Sequence, residues 1–259
     1  MTSKSMRSGF NSLKLALLKR KSVTPELALT KGVPVMSVLK SLIWVFSCVL
    51  ATPVAAQVPQ GEYLDGKDSK VGVVLAHGRG NSPDGNVVGP LRRAIHKDLG
   101  FHTFSLRMPD PGADSPDSPE LAASFPEAYQ RIQSAIEYLK MQKGVERVYL
   151  MGHSMGGRMT TGFLANNPTA PVVGFIGVGL TAGGKEPVNT NLNLRKVKLP
   201  VVDVYGDNEM DARAASFRKS LVSENFVQVE VPGAKHDYRG YEKQVSDIVI
   251  EWLKKREGR

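Results

Sequence analysis

The chain has 259 residues, 41% of them hydrophobic, one cysteine and a formal net charge of +9. The charge is uneven: residues 1–56 hold eight basic side chains against the single acid Glu26, so that segment carries +7 and the remaining 203 residues only +2. A near-neutral body lacks the basic face of a nucleic-acid-binding protein, and Cys48, as the sole cysteine, leaves the body to hold together without a disulfide.

In chain order, the first feature is an export address. Lys40 is followed by an apolar run over 42–50 and then by Ala51-Thr52-Pro53-Val54-Ala55-Ala56. A positive lead, a short apolar core and small residues at 54 and 56 read as a signal peptide cut after Ala56. The run is short for a bilayer span, so an uncleaved anchor is the lesser alternative. Phe46 ahead of Cys48 is a poor lipidation context. Counted from Met36 the signal has ordinary proportions; Met1, Met6 and Met36 all stand as possible starts. The expectation is a periplasmic or secreted protein with an export segment over 1–56 and a single folded domain over 57–259, touching membrane only through the signal.

After a polar lead-in over 57–70, apolar runs alternate with helical patterns. Strands are expected over 71–76, 101–106, 147–151, 172–178, 201–205 and 226–231, with helices over 87–99, 125–141, 156–166, 211–222 and 244–255. This alternation predicts an α/β fold, a three-layer sandwich around a mostly parallel sheet of about six to eight strands. The strands are apolar nearly throughout, as burial on both faces requires. Two irregular stretches, 108–119 and 181–200, leave the carboxyl ends of strands, where ligands bind in such sheets. The second is too short and polar for a large helical lid, so little or no lid is expected.

The informative segment is Met151-Gly152-His153-Ser154-Met155-Gly156-Gly157, set between a strand and a helix. A serine on so sharp a turn needs glycine two residues to either side, because side chains there would collide. The pattern resembles the nucleophile elbow of the α/β-hydrolase superfamily, and the strand sequence over 71–256 resembles that fold's core. The resemblance implies Ser154 as nucleophile, with acid and base following it in chain order. His236 is the only histidine after Ser154 and stands in a loop between the last strand and last helix, so it is the implied base. Asp207, just past a strand end, is the expected acid. Asp203 lies within the strand, and Glu209 and Asp211 enter the next helix, which ranks them lower.

The same resemblance implies an oxyanion hole from the backbone N–H groups of Arg79, after His77-Gly78, and of Met155, with His77 holding the loop. A dinucleotide fingerprint fails because Pro83 stands where a third glycine is needed; a phosphate loop fails at Asn86-Val87. Asp110, Asp114, Asp117 and Glu120 match no calcium-loop spacing, so no metal and no cofactor are expected. The implied activity is hydrolysis of a small carboxylic ester through an acyl-enzyme. Acyl transfer or peptide cleavage by the same residues, and a non-catalytic binding protein, are the alternatives.

Overall fold

In the computed structural model, which describes residues 58–112, 115 and 117–259, six strands run parallel and one edge strand runs against them. The strands are β1 (Gly61–Leu64), β2 (Val71–Ala76), β3 (His102–Leu106), β4 (Arg147–His153), β5 (Gly174–Val178), β6 (Val201–Gly206) and β7 (Phe226–Val231). Their order across the sheet is β1-β3-β2-β4-β5-β6-β7. The helices are α1 (Val88–Leu99), α2 (Pro119–Ala123), α3 (Phe125–Glu137), α4 (Met155–Asn166), α5 (Thr190–Leu194), α6 (Glu209–Ser216) and α7 (Glu242–Glu257). The expected signal peptide, with its cleavage after Ala56, lies outside the described residues, as does Asp114.

Alternation along the strands divides the apolar side chains between two cores. Val73, Leu75, Tyr149 and Met151 face one side, where α1 and α7 cover them with Leu91, Ile95, Val249 and Leu253. Val74, Ala76 and Leu150 face the other, covered by α3 and α4 through Ile132, Ile136, Met159 and Phe163. Each central strand is therefore buried on both faces. That arrangement is the three-layer sandwich the apolar runs predict.

Three elements depart from the sequence expectation. β1 falls in the stretch taken as a polar lead-in; it is four residues long, only partly covered, and pairs antiparallel with β3 from Gly61↔Leu106 to Leu64↔Thr103. An edge strand buries too little to show an apolar run. The long third helix turns into a π-helical segment at Tyr138–Gln142, and the 211–222 helix begins two residues earlier and ends at Ser216, followed by a 3-10 turn at Lys219–Leu221. Between β5 and β6 the chain carries only the five-residue α5, so no cap domain stands on this edge among the described residues. No described helix is long and apolar enough to cross a membrane.

The parallel register brings the carboxyl ends of the central strands level, with Ala76 beside Gly152 and His153 beside Val178. Ser154 and the cavity-lining loops lie along that edge.

Candidate active site

Ser154 sits between β4 and α4 with φ 52° and ψ −117°, a backbone conformation that a residue bearing a Cβ adopts only under constraint. The constraint is the elbow. A Cβ on Gly152 would lie 2.3 Å from Thr160 Oγ1, and one on Gly156 would lie 2.3 Å from the Ala76 carbonyl oxygen. The two glycines let β4 turn into α4 within one residue, and the turn lifts Ser154 above the sheet edge.

His236 comes to it from the β7–α7 loop. Its Nε2 is 2.9 Å from Ser154 Oγ, and its Nδ1 is 2.7 Å from Asp211 Oδ1. An ionised carboxylate only accepts, so Nδ1–H donates to Asp211; Nε2 is then the acceptor and the Ser154 hydroxyl donates to it. The structure thus brings together Ser154 and His236 as expected but puts Asp211, not Asp207, behind the imidazole. Asp207 is exposed beyond the end of β6. The reason is local: Asn208 caps α6, its side chain accepting the Asp211 N–H at 3.1 Å and donating to the Ala234 carbonyl at 3.2 Å. This cap turns the first helical turn inward and leaves the residue before it outside.

Asp211 is fully buried. Burial by itself raises its pKa, but the hydrogen bond and charge of His236, with bonds from Asn208 and Tyr238, outweigh it and hold the carboxyl below the usual value. Tyr238, two residues past the imidazole, has φ 50° and donates its hydroxyl to Asp211 Oδ2 at 3.2 Å while accepting the Gly206 N–H at 3.0 Å. It ties the histidine loop, the end of β6 and the acid into one unit, and burial pushes its own pKa up strongly. Sequence reading missed Tyr238. It also ranked Asp211 low, although Asp211, Ala214, Ala215 and Arg218 recur at the 3.6-residue period of a buried face.

Two further histidines shape the site. His77 Nε2 accepts the Met108 N–H at 3.0 Å, so its Nδ1–H donates to the Gly78 carbonyl at 2.8 Å. In a trans peptide the C=O and N–H point oppositely, so pinning the Gly78 oxygen turns the Arg79 N–H away from that ring. Met155 opens α4, where the first amides have no helical acceptor. Gly78, Arg79 and Met155 all line one cavity with Ser154 and His236, of about 990 Å³. The stretches 108–119 and 181–200 contribute Ser115 and Thr181 to its wall, as expected, α6 contributes Met210, and Phe217 follows just past that helix. Asp110, one of the acids weighed for calcium, instead accepts the Gly80 N–H at 2.8 Å and the Gly112 N–H at 3.1 Å. Among the described residues no group of three or more potential ligands gathers to hold a metal.

His153 is buried beside the relay and its Nε2–H donates to the His236 carbonyl at 3.0 Å. Burial, reinforced by His236, lowers its pKa from 6.5 to about 4. The folded form therefore stays neutral where the unfolded chain takes up a proton, and stability falls as pH drops from 6.5 towards 4. The expected contribution is ~3 kcal/mol across that window. Asp211 acts in a separate, more acidic window: its stabilising contribution is full above the ordinary carboxylate value and lost as pH falls through the lower folded one. Urea denaturation of the parent and of His153→Gln at pH 7 and pH 4 checks the difference. The variant is expected to lose less stability than the parent, by about that amount; equal losses would mean His153 is not held neutral.

The sequence profile of the alpha/beta hydrolase domain matches residues 69–248. Comparison with curated proteins gives no match. Among solved structures, the fold is similar to that of Est1E from Butyrivibrio proteoclasticus, at 16% identity and TM-score 0.57, over 73% of this chain and 88% of that one. It is also similar to an alpha-beta serine hydrolase homologue from Coxiella burnetii, at 17% identity and TM-score 0.56, over 71% and 85%. A third is XC6422 from Xanthomonas campestris, described as a serine hydrolase without lid, at 16% identity and TM-score 0.54, over 77% and 86%. At these identities the likeness is one of fold.

Proposed function

The chain belongs to the alpha/beta hydrolase domain family, and we propose that it is a serine hydrolase that cleaves carboxylic esters, with Ser154 as nucleophile, His236 as base and Asp211 as the acid that steers the base. The observation that carries this reading is the continuous relay at 2.9 and 2.7 Å from Ser154 Oγ through His236 to Asp211, opening on a cavity.

In the first half-reaction Ser154 Oγ attacks the ester carbonyl and its proton passes to His236 Nε2. Asp211 stabilises the imidazolium and fixes the tautomer that made the transfer possible. The tetrahedral oxyanion is received by the backbone N–H groups of Arg79 and Met155, each worth about 3 kcal/mol in the transition state. Collapse expels the alcohol, which leaves with the proton from His236. Water then gives a proton to the same nitrogen as it attacks the acyl-enzyme, releasing the acid and restoring the serine. The helix dipole of α4 adds positive potential where the oxyanion forms. The export segment read over residues 1–56 supports a periplasmic or secreted setting for this chemistry.

The test is a panel of chromogenic esters of graded chain length, run with fluorophosphonate labelling and with competing alcohols. Turnover to free acid with label on Ser154 supports ester hydrolysis. Label without turnover, or product appearing on the added alcohol, points to acyl transfer. A folded protein that takes no label overturns the catalytic reading.

A further inference from the structure

Arg158 stands one turn beyond Ser154 on α4, its N–H bonded to the Ser154 carbonyl at 3.2 Å, and it lines the same cavity. Its side chain is 6% exposed. Nε donates to Thr181 Oγ1 at 2.9 Å, Nη1 to the carbonyls of Gly183 at 2.8 Å and Val188 at 3.1 Å, and Nη2 to that of Ala182. These partners are all neutral and occupy four of the five N–H groups a guanidinium offers. No carboxylate forms an ion pair with it among the described residues, and Asp117 acts on it only from a distance. Burial lowers its pKa from 12.5 to about 10.

A buried charge is ordinarily matched by a counter-charge. The same fold does this elsewhere: Arg218, fully buried, meets fully buried Asp203 at 2.8 and 3.0 Å. Arg158 is left with dipoles alone, and the space beside it is the substrate cavity. A second cation, Arg213, reaches the cavity from α6 between Met210 and Phe217, which are 48% and 53% exposed. Arg213 pairs with no described carboxylate, although Glu209 precedes it by one turn and lines the same cavity. The cavity's other acid outside the relay, Asp237, is turned towards Arg239, its Oδ1 accepting that residue's N–H at 3.3 Å.

We infer that the cavity selects esters bearing a carboxylate as well as the scissile bond, with Arg158 and Arg213 receiving the negative group and Met210 and Phe217 receiving the apolar part. The ester half of this statement rests on the proposed hydrolase function; the anion-binding half does not. The charge sits in either the acyl or the alcohol portion, and substrates of each kind distinguish them.

The experiment compares kcat/KM for 4-nitrophenyl butyrate, which is neutral, with 4-nitrophenyl hemisuccinate and 3-butyryloxy-4-nitrobenzoate, anionic on the acyl and alcohol side respectively. One anionic ester is expected to exceed the neutral one by about tenfold or more, the size of a charge-assisted hydrogen bond. Arg213→Ala is expected to cut that ratio, Arg213→Glu to invert it, and added salt to weaken it. Arg158→Lys keeps a cation but loses the fork that holds residues 181–188, so it should lower the ratio and not merely the rate. A purely structural Arg158 would lower the rates for all three esters alike. A parent ratio at or below one, or a ratio unmoved by Arg213→Ala, overturns the proposal.

Calorimetry on Ser154→Ala with ethyl butyrate, monoethyl succinate and the alcohol-side anion 3-butyryloxybenzoate reads binding without turnover. Tighter binding of either anion that Arg213→Ala removes supports the subsite, even if the parent hydrolyses none of these esters and the hydrolase reading falls. Equal binding of ethyl butyrate, monoethyl succinate and 3-butyryloxybenzoate overturns the subsite, even if the enzyme is an active esterase.

Discussion

Ser154→Ala is expected to lower kcat by about a million-fold while the protein stays folded, because no other nucleophile stands at the elbow. The Ser154 side chain makes one hydrogen bond, to His236, and alanine carries the same Cβ into the same backbone conformation, so the cost to stability is small. The proposed backbone donors, Arg79 and Met155, survive the change, and a residual rate above that of water is expected to remain with them. Turnover of a chromogenic ester, fluorophosphonate labelling and the melting temperature, measured together, check this. Retained labelling would mean that another residue attacks.

Asp211→Asn is expected to lower kcat about ten-thousand-fold, the size of the loss when the carboxylate of a Ser-His-Asp triad becomes an amide. The amide is isosteric and can still bond to His236 Nδ1. By donating to that nitrogen, however, it places the imidazole proton on Nε2, the atom that must accept from Ser154. The companion variant Asp207→Asn alters an exposed side chain outside the relay and is expected to leave kcat within about twofold. Steady-state kinetics on the two variants separates the assignments. The reverse ranking would restore Asp207 as the acid.

The contrast between these two aspartates marks how far the sequence could be read. The elbow was legible because its physics is local: a serine, two glycines and a flanking strand and helix within seven residues. His236 was legible because chain order left no other histidine. The acid depends on which way the first turn of α6 faces, and that is set by the Asn208 cap and by Tyr238, partners 30 residues apart in sequence. The buried face of α6 did carry a signal, an acid in line with two alanines and Arg218. Strand-end position alone points to Asp207 instead. β1 was hidden for another reason: an edge strand exposed on one side shows neither an apolar run nor a clean alternation. Arg158 stood in the sequence as an ordinary helical arginine, and its burial without a counter-ion exists only in three dimensions.

The α6 helix presents Asp211 on its inner face and Met210 and Arg213 to the cavity, with Phe217 just past its end. The surface that judges the substrate and the carboxylate that aims the base are therefore parts of a single rod two turns long. Any remodelling of that surface that shifts the rod also misaims the imidazole, so altered preference on this wall is expected to come tied to slower chemistry. The stretch of wall at residues 181–183, hung from Arg158, bears no part of the relay. Changes of substrate that keep the speed of reaction have their freest room there.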